Sequence, residues 1–451
     1  MWQRIKGWVL GKEKNPQDPE VFHKVSLIAF FAWVGLGADG LSSSAYGPEE
    51  AYRALGAHTH LAILLVAMTA ITIFVISIAY SNLIQHFPGG GGGYLVATKL
   101  LGPKVGVISG CALLVDYVLT ISVSIASGCD ALWSFFPAGA APFKLTGAII
   151  LLFLLLALNL RGIKESVTVL APIFLLFIVT HVFMIVYAVT SHFGGLPRIF
   201  HGAAADFHSS VSSMGFLPVA LILLRAYSMG GGTYTGIEAV SNGVAILREP
   251  RVQTGKKTMF LMATSLAFTA GGILFAYLLT DARPVFGKTM NAVLLGNLFG
   301  SWEWHGLNIG YDFVVIALVS EAALLLVAAQ AGFLDGPRVL ANMASDSWIP
   351  HRFSQLSDRL VTQNGVLLMG GAALATLYYT NGNITTLVVM YSINVFITFS
   401  LTELGMARHW IVRRRTEPKW KSQLTVHGTG LVMCLSIPPL LFTKNSRRAG
   451  G

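Results

Sequence analysis

The chain of 451 residues is 54% hydrophobic, only 12% charged, and carries a net charge of +10. Soluble globular proteins contain about 25% charged residues, so this composition excludes an ordinary soluble enzyme, a disordered protein and a nucleic-acid-binding module. It predicts an all-α polytopic protein of the cell membrane whose main surrounding is the lipid bilayer.

Eleven apolar runs follow a polar N-terminal segment, residues 1–24. A membrane-spanning helix needs about 20 residues, and most of the runs are long enough; Leu145–Leu160 and Val366–Thr380 need flanking residues to span. In chain order the runs are Val25–Leu55, Leu61–Ile84, Val105–Trp133, Leu145–Leu160, Val167–Thr190, Met214–Leu247, Met259–Leu279, Phe313–Leu334, Val366–Thr380, Ile384–Leu404 and Leu424–Leu441.

The lysines and arginines between these runs predict the orientation of the protein. If the N-terminal segment is cytoplasmic, most of them fall in cytoplasmic loops, the basic loop 405–423 above all. Up to run eleven, the outside segments contain only Arg53, Lys144, Arg198, Arg283 and Lys288. This distribution follows the positive-inside rule and favours a cytoplasmic N-terminus.

Runs one and six are both long and interrupted by glycine, at Gly35–Ser44 and Met229–Gly236. Each is followed by four continuous runs, which predicts two inverted halves of five helices. Broken helices at matching positions of two halves point to a transporter's binding site; glycine packing between helices is the alternative. The predicted order is a first repeat at 25–192, an extracellular connection at 193–212, a second repeat at 213–404, the loop 405–423, and an eleventh helix with an abrupt tail at 424–451.

Carboxylates inside membrane helices are costly and are functional by default. Four stand out, while Glu49 and Glu50 lie near the outer end of run one and are expected to be solvated. The four are Asp39 in the first break, Asp116 in run three, Glu238 after the second break and Glu321 in run eight.

Asp39 is expected to lie beside backbone carbonyls that the first break frees. A carboxylate with carbonyls makes a hard oxygen site suited to a bare cation. Other hydroxyls could join it, although interhelical hydrogen bonding is the alternative explanation for serines and threonines. These are Tyr46 after the break, Tyr117, Thr120 and Ser124 on one face of run three, Thr235 on the same face as Glu238, and Tyr378 at the end of run nine.

Two segments resemble the amino acid–polyamine–organocation (APC) transporter superfamily. They are Phe87-Pro-Gly with Tyr94 and Leu101-Gly102, and Thr235-Gly-Ile-Glu238-Ala-Val-Ser-Asn242. The resemblance covers nearly all of residues 20–410. It implies the inverted five-plus-five helix repeat of the LeuT/APC fold, with discontinuous helices 1 and 6. The glycines between Phe87 and Tyr94 are not a phosphate loop, because no Gly-Lys-Ser/Thr follows them.

A narrower resemblance is to the KUP family of potassium uptake permeases, specifically the KimA-type potassium–proton symporters. It rests on Gly37–Ala51, on Ala239–Asn242 with Arg248–Pro250, and on Asp335–Arg338 with Ala344–Asp346 and Pro350. It implies potassium and proton as transported ions, without a cofactor. The implied potassium pathway is Asp39, Tyr46, Asp116, Tyr117, Thr120, Ser124, Thr235, Glu238 and Tyr378, with the ion at Asp39, Tyr46 and Thr235 and the proton on Glu238 or Asp116.

Members of that group have twelve spans followed by a soluble domain that dimerises. The chain is therefore expected to be truncated after run eleven, and a homodimer is implied only through the missing region. The sequence contains no nucleophile–base set that would suggest an enzyme, and no TVGYG filter that would suggest a channel.

An amino acid or polyamine permease of the same superfamily is the alternative function. At about 4 Å and an effective dielectric constant near 20, an ionised Asp39 would repel a substrate carboxylate by about 4 kcal/mol, which favours a cation. A polyamine would satisfy the charge, but it usually needs aromatic faces.

Overall fold

The computed structural model describes residues 27–90, 92–161, 167–357 and 361–436. Within them the structure contains α-helices, short 3₁₀ turns and two isolated β-bridges. The predicted N-terminal segment 1–24 and the tail beyond residue 436 lie outside the described residues. The helices are α1 Ala29–Ser42, α2 Gly47–Ala54, α3 Ala62–His86, α4 Gly92–Leu101, α5 Pro103–Trp133, α6 Lys144–Leu160, α7 Val167–Ser191, α8 Leu196–Met214, α9 Phe216–Met229, α10 Ala239–Asn242, α11 Arg251–Leu279, α12 Met290–Phe299, α13 Ile309–Ser345, α14 Gln363–Thr380, α15 Ile384–Val412 and α16 Trp420–Ser436.

Every predicted apolar run coincides with a helix or a pair of helices. Among the described residues, eight helical segments are long and apolar enough to cross a membrane, fewer than the eleven predicted. Of the other three runs, run one is divided into α1 and α2, and run nine forms the 18 residues of α14. Run eleven extends beyond residue 436, and its described part lies in α16. The eight segments are Thr59–His86, Pro103–Trp133, Gly139–Leu160, Leu170–Ser191, Phe216–Asn242, Arg251–Leu279, Ile309–Ser345 and Ile384–Val412.

The first helix break lies further along the chain than predicted. The α-helix continues through Asp39 to Ser42, and the interruption is a 3₁₀ turn at Ser43–Ala45 with Tyr46. The predicted break at Gly35–Ser44 is therefore wrong at its start, because single glycines cost a helix only about 1 kcal/mol each. Three consecutive serines end the helix instead, since hydroxyls compete for backbone carbonyls. Ser42, Ser43 and Ser44 donate to the carbonyls of Asp39, Gly40 and Leu41 at 2.7, 2.5 and 2.7 Å.

The second break lies where the glycines predict it. α9 ends at Met229, Gly230–Tyr234 form a 3₁₀ turn, and Thr235 is extended with ψ of 151°. Gly236 follows with φ of +79°, a conformation that glycine adopts without a steric penalty.

The two breaks cross each other in direct backbone contact. A Cβ atom at Gly236 would lie 2.5 Å from the nitrogen of Gly40, and one at Gly47 would lie 2.8 Å from the nitrogen of Thr233. Below the crossing, Leu27 forms an isolated parallel bridge with Leu247. The long helices α5 and α13 pack along each other beside this crossing, and α5 also packs against α15.

Connections between the spans contain helices that the apolar pattern does not predict. The connection 193–212 is mostly helix α8, and the glycine-rich loop leads into α4. A short helix, α12, follows α11, and its backbone reaches the first broken helix: the N–H of Met290 donates to Oε2 of Glu49 at 3.0 Å.

Candidate functional site

Three carboxylates are buried where the broken helices cross. Asp39 on α1, Asp116 on α5 and Glu238 just before α10 are 7%, 2% and 3% exposed. Asp39 lies within electrostatic range of both Asp116 and Glu238. Oδ1 of Asp116 and Oε2 of Glu238 have no hydrogen-bond partner among the described residues. No described lysine or arginine pairs with any of the three, so no basic side chain balances the charge that they carry when ionised.

Hydroxyl groups from three segments, the two breaks and α5, lie near these carboxylates. The hydroxyls of Tyr46 and Thr235 are 3.4 Å apart, which joins the first break to the second. Thr120 Oγ1 donates to the Asp116 carbonyl at 3.1 Å, one turn away on α5. The structure therefore brings Asp39, Tyr46, Asp116, Thr120 and Thr235 together with Glu238. Tyr117 and Ser124 are buried on the same helix.

Tyr391 is a member of this cluster that the sequence reasoning missed. It lies on α15, is 1% exposed, and its hydroxyl is 2.6 Å from Oγ1 of Thr120. It also lies within electrostatic range of Asp39, Asp116 and Glu238. Its signal in the sequence was a tyrosine followed by serine and asparagine inside run ten.

The structure does not place Tyr378 in the cluster. Tyr378 is 76% exposed at the end of α14, so its hydroxyl faces away from the buried carboxylates. The expected free carbonyls beside Asp39 are also absent from the described break, because Asp39 lies inside α1 and serine hydroxyls occupy the carbonyls of residues 39–41. The oxygen ligands available to a cation in this cluster are therefore mainly side-chain carboxylates and hydroxyls.

A cavity of about 550 Å³, here called the first vestibule, opens on one side of the cluster. Tyr46 lines its floor, and Glu49, Glu50 and Asp130 line its walls. The expectation that Glu49 and Glu50 are solvated is wrong, because they are 9% and 4% exposed. Glu49 pairs with Arg53 at 2.6 Å, and Glu50 accepts from Thr385 at 3.1 Å, so both side chains have protein partners at the edge of the cavity.

A cavity of about 440 Å³, the second vestibule, opens on the other side. Tyr117 lines this cavity, lies within electrostatic range of the three carboxylates, and accepts a hydrogen bond from Nδ2 of Asn242 at 2.8 Å. At its rim Tyr94 donates to Asp346 at 2.5 Å, and Asp335 pairs with Arg338 at 2.8 Å. Burial and the neighbouring Asp346 raise the pKa of Tyr94 to about 12, so its hydroxyl keeps the proton that it donates.

The fold itself has a counterpart among solved structures. A Na⁺-coupled sialic acid symporter, solved in a substrate-bound outward-open state, superposes with a TM-score of 0.53 over 98% of this chain and 96% of that one, at 12% sequence identity. That likeness, together with the broken helices, confirms the predicted all-α fold with the LeuT/APC arrangement.

The sequence comparisons identify the family. Residues 26–450 match the amino acid permease family. The chain belongs to that family. This permease is also 31% identical to Potassium transporter KimA of Bacillus subtilis (strain 168), over 98% of its own length and 70% of the relative's. The permease is therefore a multi-pass membrane protein and a secondary transporter of the APC superfamily, while its membership of the KUP family stays a prediction.

Proposed function

We propose that this permease imports potassium ions together with protons by alternating access. The observation that carries the proposal is the cluster of Asp39, Asp116 and Glu238, whose charge when ionised no described basic side chain balances. Buried charge without a partner costs several kcal/mol, so either a bound cation or a proton stabilises this site. The similarity to Potassium transporter KimA supports potassium as that cation.

The chemistry of the ligands favours a monovalent metal ion. Potassium suits hydroxyl and single carboxylate oxygens; Asp39 provides a carboxylate at the crossing, and Tyr46 and Thr235 provide hydroxyls. The described residues contain no group of three or more His, Cys, Asp or Glu side chains placed to hold a metal ion together, as a tight divalent site would need.

An amino acid is the second candidate cargo, because the chain belongs to the amino acid permease family. Its carboxylate would have to approach three buried acids. One such contact at about 4 Å, with an effective dielectric constant near 20, is unfavourable by about 4 kcal/mol. A polyamine satisfies the charge, and the transport assay below distinguishes it.

The two vestibules supply the two routes of alternating access. The first vestibule is lined by residues of the segments predicted to face outside, among them Arg53, Lys144 and Lys288, and the second is lined by Arg338 of a predicted cytoplasmic segment. This orientation puts the N-terminus in the cytoplasm and makes the first vestibule the entry for potassium.

Proton coupling follows from the crowding of acids at the site. Three neighbouring carboxylates cannot all stay ionised without a cation, so a proton on Glu238 replaces the ion when the site is empty. Asp116, with its unpartnered Oδ1, is the alternative carrier. At about 100 mV one charge gains roughly 2.3 kcal/mol, about fifty-fold accumulation, and a second charge multiplies this further.

The test is uptake of rubidium, amino acids and spermidine, side by side, into proteoliposomes. Wild-type protein should take up rubidium, and Asp39→Asn should abolish that uptake, because a neutral amide leaves the site without its first anion. Asp281→Asn is the matched control, since the Asp281 side chain is 67% exposed and does not belong to the proposed ion site. Uptake of an amino acid or of spermidine, without uptake of rubidium, would show that the proposed cargo is wrong. Undiminished rubidium uptake by Asp39→Asn would refute the proposed ion site.

A further inference from the structure

A second buried acid, away from the ion cluster, lies in the wall of the first vestibule. Glu321 on α13 is 1% exposed and lines this cavity. Its Oε2 is 3.4 Å from Nε2 of His181 on α7, which is also 1% exposed. The same oxygen accepts a hydrogen bond from Nδ2 of Asn291 on α12 at 2.9 Å. The proposed ion site does not include this group of residues.

The contacts of His181 favour a proton on Nδ1. Nδ1 is 2.9 Å from the backbone carbonyl of Phe177, which can only accept. The hydroxyl of Thr180 is also near Nδ1, at 3.2 Å, but its own proton has a closer acceptor in the carbonyl of Leu176, at 2.8 Å. We therefore infer that Nδ1 carries a proton. In a neutral imidazole Nε2 is then a bare acceptor, and it faces a carboxylate oxygen. Two acceptors do not attract each other, so the contact of 3.4 Å calls for one further proton shared between His181 and Glu321.

The same helix shows what a purely structural polar bridge looks like. Gln330 on α13 exchanges two amide hydrogen bonds with Asn159 on α6, at 2.8 and 3.1 Å. That bridge is complete at every pH because neither amide titrates. The pair of His181 and Glu321 is complete only while it holds a proton.

Asn291 connects the pair to the first broken helix. Its Oδ1 accepts from the hydroxyl of Tyr277 at 2.5 Å, which fixes the orientation of the amide, and its Nδ2 also approaches the carbonyl of Ala45, at 3.5 Å. Ala45 precedes Tyr46 in the break. Loss of the shared proton leaves a full negative charge on Glu321, which draws the amide away from Ala45.

Other ionisable groups face the same cavity, and their charges set the field at Glu321. They are Tyr46, Glu49, Glu50 and Arg53 of the first broken helix, Asp130 of α5, Lys144 of α6 and Lys288 between α11 and α12. Tyr277 of α11 does not line the cavity but lies within electrostatic range of Glu321. Glu49 is paired with Arg53 and Asp130 with Lys144, so their charges largely cancel.

We propose that His181 and Glu321 form a proton-binding site in the wall of the first vestibule, linked through Asn291 to the first helix break. This site deepens the proposed function, on which its role in transport rests, and is distinct from Glu238. Binding of a proton from the vestibule would favour the arrangement of the first break seen here. Loss of that proton would release the contact between the amide of Asn291 and the carbonyl of Ala45.

Proton binding itself is tested on the purified full chain in detergent, without any cargo. The protein is stepped from about pH 8 to about pH 5, the range in which histidine titrates, and proton uptake is counted with an indicator dye. Glu321→Gln removes the carboxylate with little change of shape; the atom that replaces Oε2 can either donate to His181 or accept from Asn291, so one of the two contacts is kept. This variant should bind one proton fewer than wild type.

A second variant covers the case in which Glu321→Gln does not fold. The double change His181→Gln with Glu321→Gln copies the amide bridge between Asn159 and Gln330, and it should also bind one proton fewer. Proton counts equal to wild type in either folded variant would overturn the proposal.

The link to transport is tested by the pH dependence of rubidium uptake. Each proton required for uptake changes the rate of rubidium uptake by up to about tenfold per pH unit. In Glu321→Gln the pH dependence of this rate should be weaker by one such factor. Glu403→Gln is the matched control, because Glu403 on α15 is paired with His427 on α16 at 2.6 Å and lines neither vestibule. It should keep the wild-type slope; an unchanged slope in Glu321→Gln would refute the link. If wild-type protein takes up no rubidium, the proposed cargo fails while the proton count still decides the site.

Discussion

Replacement of Gly236 by alanine tests whether the crossing of the two broken helices holds the site together. The added Cβ would lie 2.5 Å from the backbone nitrogen of Gly40 and 2.8 Å from the carbonyl carbon of Asp39. Backbone atoms cannot rotate away as a side chain can, so the two breaks must move apart. Gly56 provides the control, because it has φ of +60° but nothing within 4 Å of its would-be Cβ.

The two substitutions share one penalty and differ in the other. A positive φ costs an alanine about 1–2 kcal/mol at either position. Overpacking adds about 1–3 kcal/mol at Gly236 alone. If this second cost falls on the conformation that binds the ion, transport by Gly236→Ala should be about 5- to 150-fold weaker than by Gly56→Ala.

The assay compares initial rates of rubidium uptake at equal amounts of reconstituted protein, with thermal unfolding midpoints for both variants. We expect Gly236→Ala to lose transport beyond any loss in Gly56→Ala. Equal rates in the two variants would mean that the backbone contact between the breaks does not position the site.

Two further predictions concern single side chains of the cluster. Glu238→Gln should reduce potassium-dependent acidification inside proteoliposomes under a set potential; undiminished acidification would assign the proton to Asp116, and loss of folded protein would indicate a structural bridge. Tyr391→Phe removes the contact with Thr120, worth about 1 kcal/mol, and should weaken the apparent affinity for rubidium about fivefold, whereas Tyr378→Phe, which changes an exposed residue, should not; equal effects would contradict the placement of Tyr391.

The periodic signals in the sequence predicted most of the fold. Each apolar run formed a helix because a chain in lipid must satisfy its backbone internally, and the consecutive glycines at 230–232 located the second break. The predicted start of the first break was wrong because isolated glycines and a run of serines both indicate the end of a helix in a sequence. Only the structure shows the serines closing onto the carbonyls of Asp39, Gly40 and Leu41.

The charged residues of the site could be predicted from the sequence. Residues that belong to the site only because the fold brings them close could not. Asp39, Asp116 and Glu238 are conspicuous because carboxylates are rare in apolar runs, and the structure buries all three within electrostatic range of one another. Tyrosines occur both in cores and at membrane interfaces, so the sequence could not distinguish buried Tyr391 from exposed Tyr378. The partner of Glu321 was equally hidden, because His181 lies 140 residues away in another apolar run.

The contacts between the broken helices constrain how this permease can alternate. The breaks touch backbone to backbone at Gly236 and at Gly47, and they are joined again by the bridge from Leu27 to Leu247. Close-packed contacts of this kind do not deform gradually, so the two breaks should move as one unit. Opening of either vestibule then requires α5, α12, α13 or α15 to shift against that unit. The proposed ion site lies on this boundary, between Tyr46 of the unit and Asp116 of α5, so an ion bound there interacts differently with the two arrangements, which is the condition for binding to drive the change.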